Sequence, residues 1–145
     1  MRRDSGFTLV ELLAVLAIMA LAAGAVAVAI RPPGDQLAVT AAARGLCAGL
    51  KQAHGRALAS AADQLVSIDV KTNSYRALDL APVALPAGTR VSVTFAASER
   101  RGGSEGVFRF YPNGEATGGE IRLERGRAAS TITLNWLTGE ARCGW

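Results

Sequence analysis

The sequence is poor in the residues that build metal sites and catalytic centres. Its 145 residues include one histidine, His54, and two cysteines, Cys47 and Cys143, which form no CxxC or Cys/His cluster. A structural zinc ion needs about four such ligands close together, so no metal site is expected. There is also no Ser-His-Asp arrangement with supporting motifs. We therefore expect neither an enzyme nor a bound cofactor.

Two further features are weak as candidate sites. The glycine-rich run at 102–106 does not link a strand to a helix, as a phosphate-binding loop must. His54 lies between Lys51 and Arg56 on a predicted helix and is interpreted as a surface or boundary side chain. Charge of one sign is not in large excess either. The formal net charge of +4 permits contact with an anionic partner without requiring one.

Hydrophobic residues make up 50% of the chain, and a dense block of them runs from Phe7 to Ile30 with one charge, Glu11. A helix of this length is about 36 Å long, enough to cross a hydrocarbon layer about 30 Å thick with some tilt. Arg2 and Arg3 precede the block. The positive-inside tendency then keeps the N-terminus in the cytoplasm and places the remaining chain on the far side of the membrane.

Three kinds of segment fit this block to different degrees. A secretory signal has a shorter apolar region before a small-x-small cleavage site, for which residues 25–27 or 27–29 would serve. The run is too long for that, and Glu11 lies in its first turns. A plain anchor explains the length but not Glu11, because a carboxylate in a membrane helix is costly and usually marks a functional contact. A specialised segment is favoured.

The specialised interpretation follows from residues 6–13, which read GFTLVELL. This run resembles, at every position, the type IV pilin and pseudopilin motif G-F-T-L-[IV]-E-[LV]-[LM]. The resemblance implies a leader peptide of residues 1–6, cleavage by the prepilin peptidase between Gly6 and Phe7, and N-methylation of Phe7. It also implies that Glu11 pairs with the N-terminal amine of a neighbouring subunit and sets its register in a filament. The alternative, that Glu11 only snorkels to the interface, stays open.

The rest of the chain predicts a helix followed by strands. Residues 31–35, with two prolines and a glycine, predict a helix break. Apolar residues on one face predict a second helix over 36–61. Alternating hydrophobicity after residue 63 predicts an antiparallel sheet over 64–145, with loops at 81–88 and 96–106, the latter exposed and mobile. The predicted fold is α+β and pilin-like: a transmembrane helix, a second helix and one sheet packed on it.

The C-terminal half of the chain resembles particular subfamilies of pilin-like proteins. Residues 108–123 are similar to the F-x-P-x-G-x-[ST]-x-G-x-[IL]-x-[LV] stretch of GspH-type minor pseudopilins and FimT-type minor pilins, and 132–139 resemble their closing strand and Thr-Gly turn. The resemblance implies a structural subunit of the periplasmic pseudopilus of a type II secretion system, at or near its tip. The partners implied are other pseudopilins, the prepilin peptidase, the inner membrane and secreted cargo, with residues 36–145 in the periplasm.

The alternative function is DNA uptake by a FimT-like minor pilin. In those proteins a G-R-x-R element in the C-terminal region contacts DNA. Here residues 126–129 keep the first arginine and lack the second. Arg125 and Arg127 are the candidate DNA contacts under this alternative. Nearby glutamates lower the positive electrostatic potential around these arginines. Affinity for DNA depends on how many phosphate charges are neutralised together.

The two cysteines would both face the periplasm. An oxidising compartment lets Cys47 and Cys143 pair. Closing a loop of about 95 residues would stabilise the domain by up to about 4–5 kcal/mol on chain-entropy grounds. The alternative is that Cys47 is simply a small buried residue of the second helix.

Overall fold

The computed structural model describes residues 8–29, 34–95, 100–101 and 105–144, without the side chains of 26–29 and 100–101. The chain divides into two compact units, Met1–Pro33 and Gly34–Trp145. In the first unit, α1 spans Leu9–Ala29. Large apolar side chains project from every face of α1, and their exposed fractions range from 45% at Val15 to 76% at Leu21.

No helix within the described ranges combines the length and the hydropathy that a membrane crossing requires. The transmembrane span predicted over 7–30 is not confirmed and stays a prediction.

The second unit begins with α2, Asp35–Ser60, where the sequence predicted a helix over 36–61. Asp35 was predicted to lie in the helix break, but it occupies the first turn of α2 behind Gly34. Residues 31–33 of the predicted break lie outside the described residues. Ala61 ends the helix in the left-handed conformation, with φ of 51°. One face of α2 is buried, through Ala38, Val39, Ala43, Leu46, Cys47, Gly49, Leu50, Ala53 and Ala57.

Nine strands follow α2 in the described chain. They are β1 Gln64–Asp69, β2 Ser74–Ala77, β3 Val83–Ala84, β4 Arg90–Phe95, β5 Arg100–Arg101, β6 Glu105–Phe110, β7 Gly119–Arg125, β8 Ala128–Leu134 and β9 Ala141–Gly144. They form two antiparallel sheets. Sheet A has the order β3-β2-β1-β6-β5, and sheet B has the order β4-β7-β8-β9.

The predicted α+β class, with two helices followed by antiparallel strands, is confirmed, but the strands form two sheets where one was predicted. β6 and β7 follow each other along the chain but lie in different sheets. Phe110 of β6 makes an isolated bridge to Ala116, which precedes β7, and β7 pairs with β4 and β8. β3 lies in the predicted loop 81–88, and β5 lies in the predicted loop 96–106, whose residues 96–99 and 102–104 are outside the described chain. Strands of two residues are too short to show an alternating pattern.

The core lies between α2 and the inner faces of both sheets. Sheet A contributes Val66, Ile68, Phe108 and Phe110, sheet B contributes Ile121, Leu123, Ile132 and Leu134, and α2 contributes Leu46 and Leu50. All of these are at most 3% exposed. Burial alternates along β8, as expected for a strand with one face on a core. Because α2 contacts strands of both sheets, it holds them in one hydrophobic core.

Two glycines of α2 allow β2 to approach closely. A Cβ at Gly45 would lie 3.0 Å from the Tyr75 hydroxyl, and one at Gly49 would lie 3.0 Å from Ala77 Cβ. Burial in this contact raises the pKa of Tyr75 above its usual value. Gly55, in contrast, faces open space. Gly45 and Gly49 therefore allow the close packing of β2 on α2, while Gly55 only lowers the stability of the helix.

Gly55→Ala is expected to stabilise the domain by about 1 kcal/mol, because alanine favours a helix over glycine and nothing obstructs the new methyl. Gly49→Ala has the same gain in propensity, but its methyl meets Ala77 on a strand that cannot retreat without moving backbone. We expect Gly49→Ala to leave the stability of the domain unchanged or to lower it. Urea unfolding of the full chain in detergent, followed by circular dichroism, measures both. Equal stabilisation by the two substitutions would contradict the close packing of α2 on β2.

Candidate functional site

The N-terminal motif leads directly into a capped helix. Thr8 Oγ1 accepts the Glu11 N–H at 3.3 Å, and the Thr8 carbonyl accepts the N–H groups of Glu11 and Leu12 at 3.1 and 3.2 Å. Thr8 is thus the N-cap of α1, and it satisfies one of the amides that a helix start leaves unpaired. The T-x-x-E spacing of Thr8 and Glu11 is that of a capping box, so the start of α1 is also marked in the sequence. Gly6 and Phe7, the predicted cleavage residues, lie outside the described chain.

Glu11 lies in the first turn of α1 and is solvent-exposed in the single chain. A carboxylate there is stabilised by the positive end of the helix dipole. The position also leaves the carboxylate able to meet a cation that comes from outside the helix. The pairing of Glu11 with the amine of a neighbouring subunit stays a prediction.

The two cysteines come together between α2 and the last strand. Cys47 lies in the middle of α2 and is 3% exposed, while Cys143 lies in β9 opposite Ile132 and is half-buried. Their Cα atoms are 6.4 Å apart, and a disulfide bond joins their sulfur atoms. The bond ties β9, an edge strand of sheet B, to α2.

The hairpin that joins β7 to β8 packs on the first turn of α2. Arg125 Nε lies 2.9 Å from Asp35 Oδ1, and the Arg125 side chain is 25% exposed. Gly126 occupies the turn with φ of +57°, where an added Cβ would clash with the Asp35 carboxylate. Arg127, the other candidate DNA contact, is exposed. Of the two predicted DNA contacts, one is therefore held in an ion pair within the domain.

Acidic side chains also offset neighbouring arginines on the outer face of sheet B. Arg122 Nε lies 2.6 Å from Glu124 Oε1, and Arg90 Nη1 lies 3.8 Å from Glu124 Oε2. DNA affinity grows with the number of phosphates neutralised together. Arg90 and Arg122 already face a carboxylate, so they offer less charge for that purpose. The charge pattern disfavours the DNA-uptake alternative.

His54 is a boundary side chain, as predicted. Its ring centroid lies 5.9 Å from that of Phe110, and a Cβ at Gly139 would lie 2.7 Å from its Cδ2 and Nε2 atoms. Gly139, with φ of +63°, thus lets the turn between β8 and β9 rest on the imidazole. The buried Nε2 has no hydrogen-bond partner among the described residues. In that part of the chain, no three His, Cys, Asp or Glu residues are grouped to hold a metal ion.

Comparison with known proteins identifies the family. Residues 1–27 match the family model described as the prokaryotic N-terminal methylation motif. The chain is 30% identical over 143 residues to type II secretion system protein H of Xanthomonas campestris pv. campestris, an alignment that covers 99% of this chain and 85% of that protein. The chain belongs to the type II secretion system protein H family, the GspH-type minor pseudopilins. The predicted family and the predicted role as a minor pseudopilin are confirmed.

A solved structure shows the same fold. The minor pseudopilin EpsH from the type 2 secretion system of Vibrio cholerae superposes with a TM-score of 0.57 at 14% identity, covering 72% of this chain and 94% of that one. The likeness confirms the predicted pilin-like arrangement of helices and antiparallel sheets. None of these comparisons supports the DNA-uptake alternative.

We expect the full chain to bind a DNA oligonucleotide weakly and only at low salt. Asp35→Asn should strengthen this binding a few-fold, because it releases Arg125 from its ion pair. Asp79→Asn, which changes the net charge equally at an exposed site away from the hairpin, is the matched control. Fluorescence anisotropy at two salt concentrations measures all three proteins. Tight binding by the unmodified chain at physiological salt, lost in Arg125→Ala, would reinstate DNA uptake.

Proposed function

We propose that this minor pseudopilin is made as a precursor, anchored once in the bacterial inner membrane, and assembled at or near the tip of the periplasmic pseudopilus. There it would support protein secretion across the outer membrane. The observation that carries the proposal is the complete pilin-type motif at residues 6–13, which leads into a capped apolar helix. In this scheme residues 1–6 are the leader and residues 36–145 lie in the periplasm.

The apolar surface of α1 supports the proposal that this helix lies in an apolar environment. A helix that is apolar on every face is normally buried, in a large core or in a membrane. The large side chains of α1 are exposed in the single chain. A bilayer would cover them before assembly, and neighbouring pseudopilins would cover them afterwards. Arg2 and Arg3 would keep the N-terminus in the cytoplasm.

The polar groups at the start of α1 support the processing and assembly steps. Cleavage by the prepilin peptidase after Gly6 would leave a new amine on Phe7, one residue before the Thr8 cap. Thr8 holds the start of the helix so that Glu11 occupies its first turn. A carboxylate and an ammonium are each costly in lipid and tolerable as a pair. Glu11 would thus pair with the amine of a neighbouring pseudopilin and set the axial register.

This role needs no catalytic centre in the chain. The protein would be a substrate of the prepilin peptidase and a structural partner of other pseudopilins. The exposed face of its sheet domain would be the part available to secreted cargo.

Gly6→Ala is expected to leave uncut precursor in the membrane, because the added methyl obstructs the backbone where the peptidase must grip it. Ser5→Ala, a change of similar size at the neighbouring leader position, should be cut normally. Mass spectrometry of the N-terminal peptide distinguishes precursor, mature chain and methylated mature chain. Normal cleavage of Gly6→Ala would argue against the proposed processing site.

Deletion of the gene is expected to abolish secretion by the type II system while leaving natural transformation intact. The unmodified chain should restore secretion, and Glu11→Ala should enter the membrane but restore little, because it cannot pair with a neighbouring amine. Leu12→Ala, which leaves the charge in place on the same turn, is the control. A deletion strain that secretes normally but no longer takes up DNA would refute the proposal. Full complementation by Glu11→Ala would refute only the register role.

A further inference from the structure

The last strand contributes little packing of its own. β9 has four residues, of which only Ala141 is buried, while Arg142 and Gly144 are exposed and Cys143 is half-buried. It lies at the edge of sheet B and pairs with β8 alone among the described strands. A short edge strand with so little buried area opens more easily than the strands at the centre of a sheet.

The disulfide attaches β9 to the domain more firmly than the packing of β9 does. Cys47 belongs to the buried face of α2, and the bond closes a loop with a sequence separation of 96 residues. A cross-link across so long a loop removes much of the freedom of the open chain. The covalent bond, more than the burial of one alanine, therefore keeps β9 in place.

β9 covers the edge of β8, which could otherwise pair with a strand of another chain. Thr131, Ile132, Thr133 and Leu134 of β8 are paired with β9. On the inner face of β8, Ile132 is 1% exposed and Leu134 is 3% exposed. If β9 departs, this stretch presents unpaired backbone groups next to buried apolar side chains. Such an edge accepts a strand from another chain.

We propose that the Cys47–Cys143 bond is a redox latch that seats β9 on β8, and that a disulfide-bearing thiol oxidant closes it. The requirement for an oxidant in the cell rests on the periplasmic location given under the proposed function. The latch itself is a property of the folded domain. Its two states differ in whether the outer edge of β8 is covered.

The positions of the two sulfurs give the order of the oxidation. Cys143 is the more exposed, so its thiolate attacks the disulfide of the oxidant, forms a mixed disulfide and releases one oxidant thiol. Pairing of β9 with β8 then brings Cys143 to Cys47, whose Cα lies 6.4 Å away. The Cys47 thiolate attacks the Cys143 sulfur, and the second oxidant thiol leaves. The two protons lost by the cysteines end on the two oxidant thiols, and the two electrons remain in the reduced oxidant.

Hydrogen exchange on the full chain in detergent tests the latch without reference to any compartment. After reduction with a phosphine, peptides that cover 128–144 should exchange at least ten-fold faster, while those that cover β1 and β6 keep their rates. The Cys47→Ala/Cys143→Ala variant is the matched control, and it should show the fast exchange with or without reductant. Unchanged exchange at 128–144, or equal acceleration across both sheets, would overturn the latch. So would a purified chain that carries two free thiols.

Thiol counting in cells tests the oxidant. In a strain that lacks its periplasmic thiol oxidase, both cysteines should react with an alkylating reagent, whereas in the parent strain neither should. Pairing that is complete without the oxidase contradicts the oxidant step. Free thiols in a parent strain that still needs the protein for secretion would refute the latch and leave the proposed function standing.

Discussion

The domain depends on the burial of one face of α2. That face meets the inner sides of both sheets, through Leu46 and Leu50 among others, and each large apolar side chain buried there contributes about 1.5–3 kcal/mol. Within the described chain, no strand of sheet A pairs with a strand of sheet B. The helix is therefore the element that makes one core from two sheets. Gly45 and Gly49 refine this contact, because their missing side chains let β2 lie close to the helix axis.

Sheet B is attached to α2 at three levels, each by a different kind of interaction. At the start of the helix, Asp35 holds the β7–β8 hairpin through Arg125. In the middle, Cys47 holds β9 through a covalent bond. Near the end, His54 supports the turn that contains Gly139. These attachments fix the orientation of the sheet along the helix, which apolar burial alone, being non-directional, does not determine.

The N-terminal unit is built for different contacts. Its helix is apolar on every face and carries one carboxylate in the first turn, so its energy depends on what surrounds it outside the chain. The C-terminal unit, in contrast, has a buried core of its own. Under the proposed function, this division would let the helix move from a bilayer into a filament while the sheet domain keeps its fold.

The sequence alone determined the features that depend on neighbouring residues. The motif at 6–13 is linear, the periodicity of α2 reports its own buried face, and the longer strands alternate visibly. Only the tertiary structure decided that the strands split into two sheets, that Asp35 joins α2 and restrains Arg125, and that Cys47 lies against Cys143. Those outcomes depend on contacts between residues distant in sequence. Local periodicity does not show which distant residue or strand a given residue or strand will contact, because that depends on how the whole core packs.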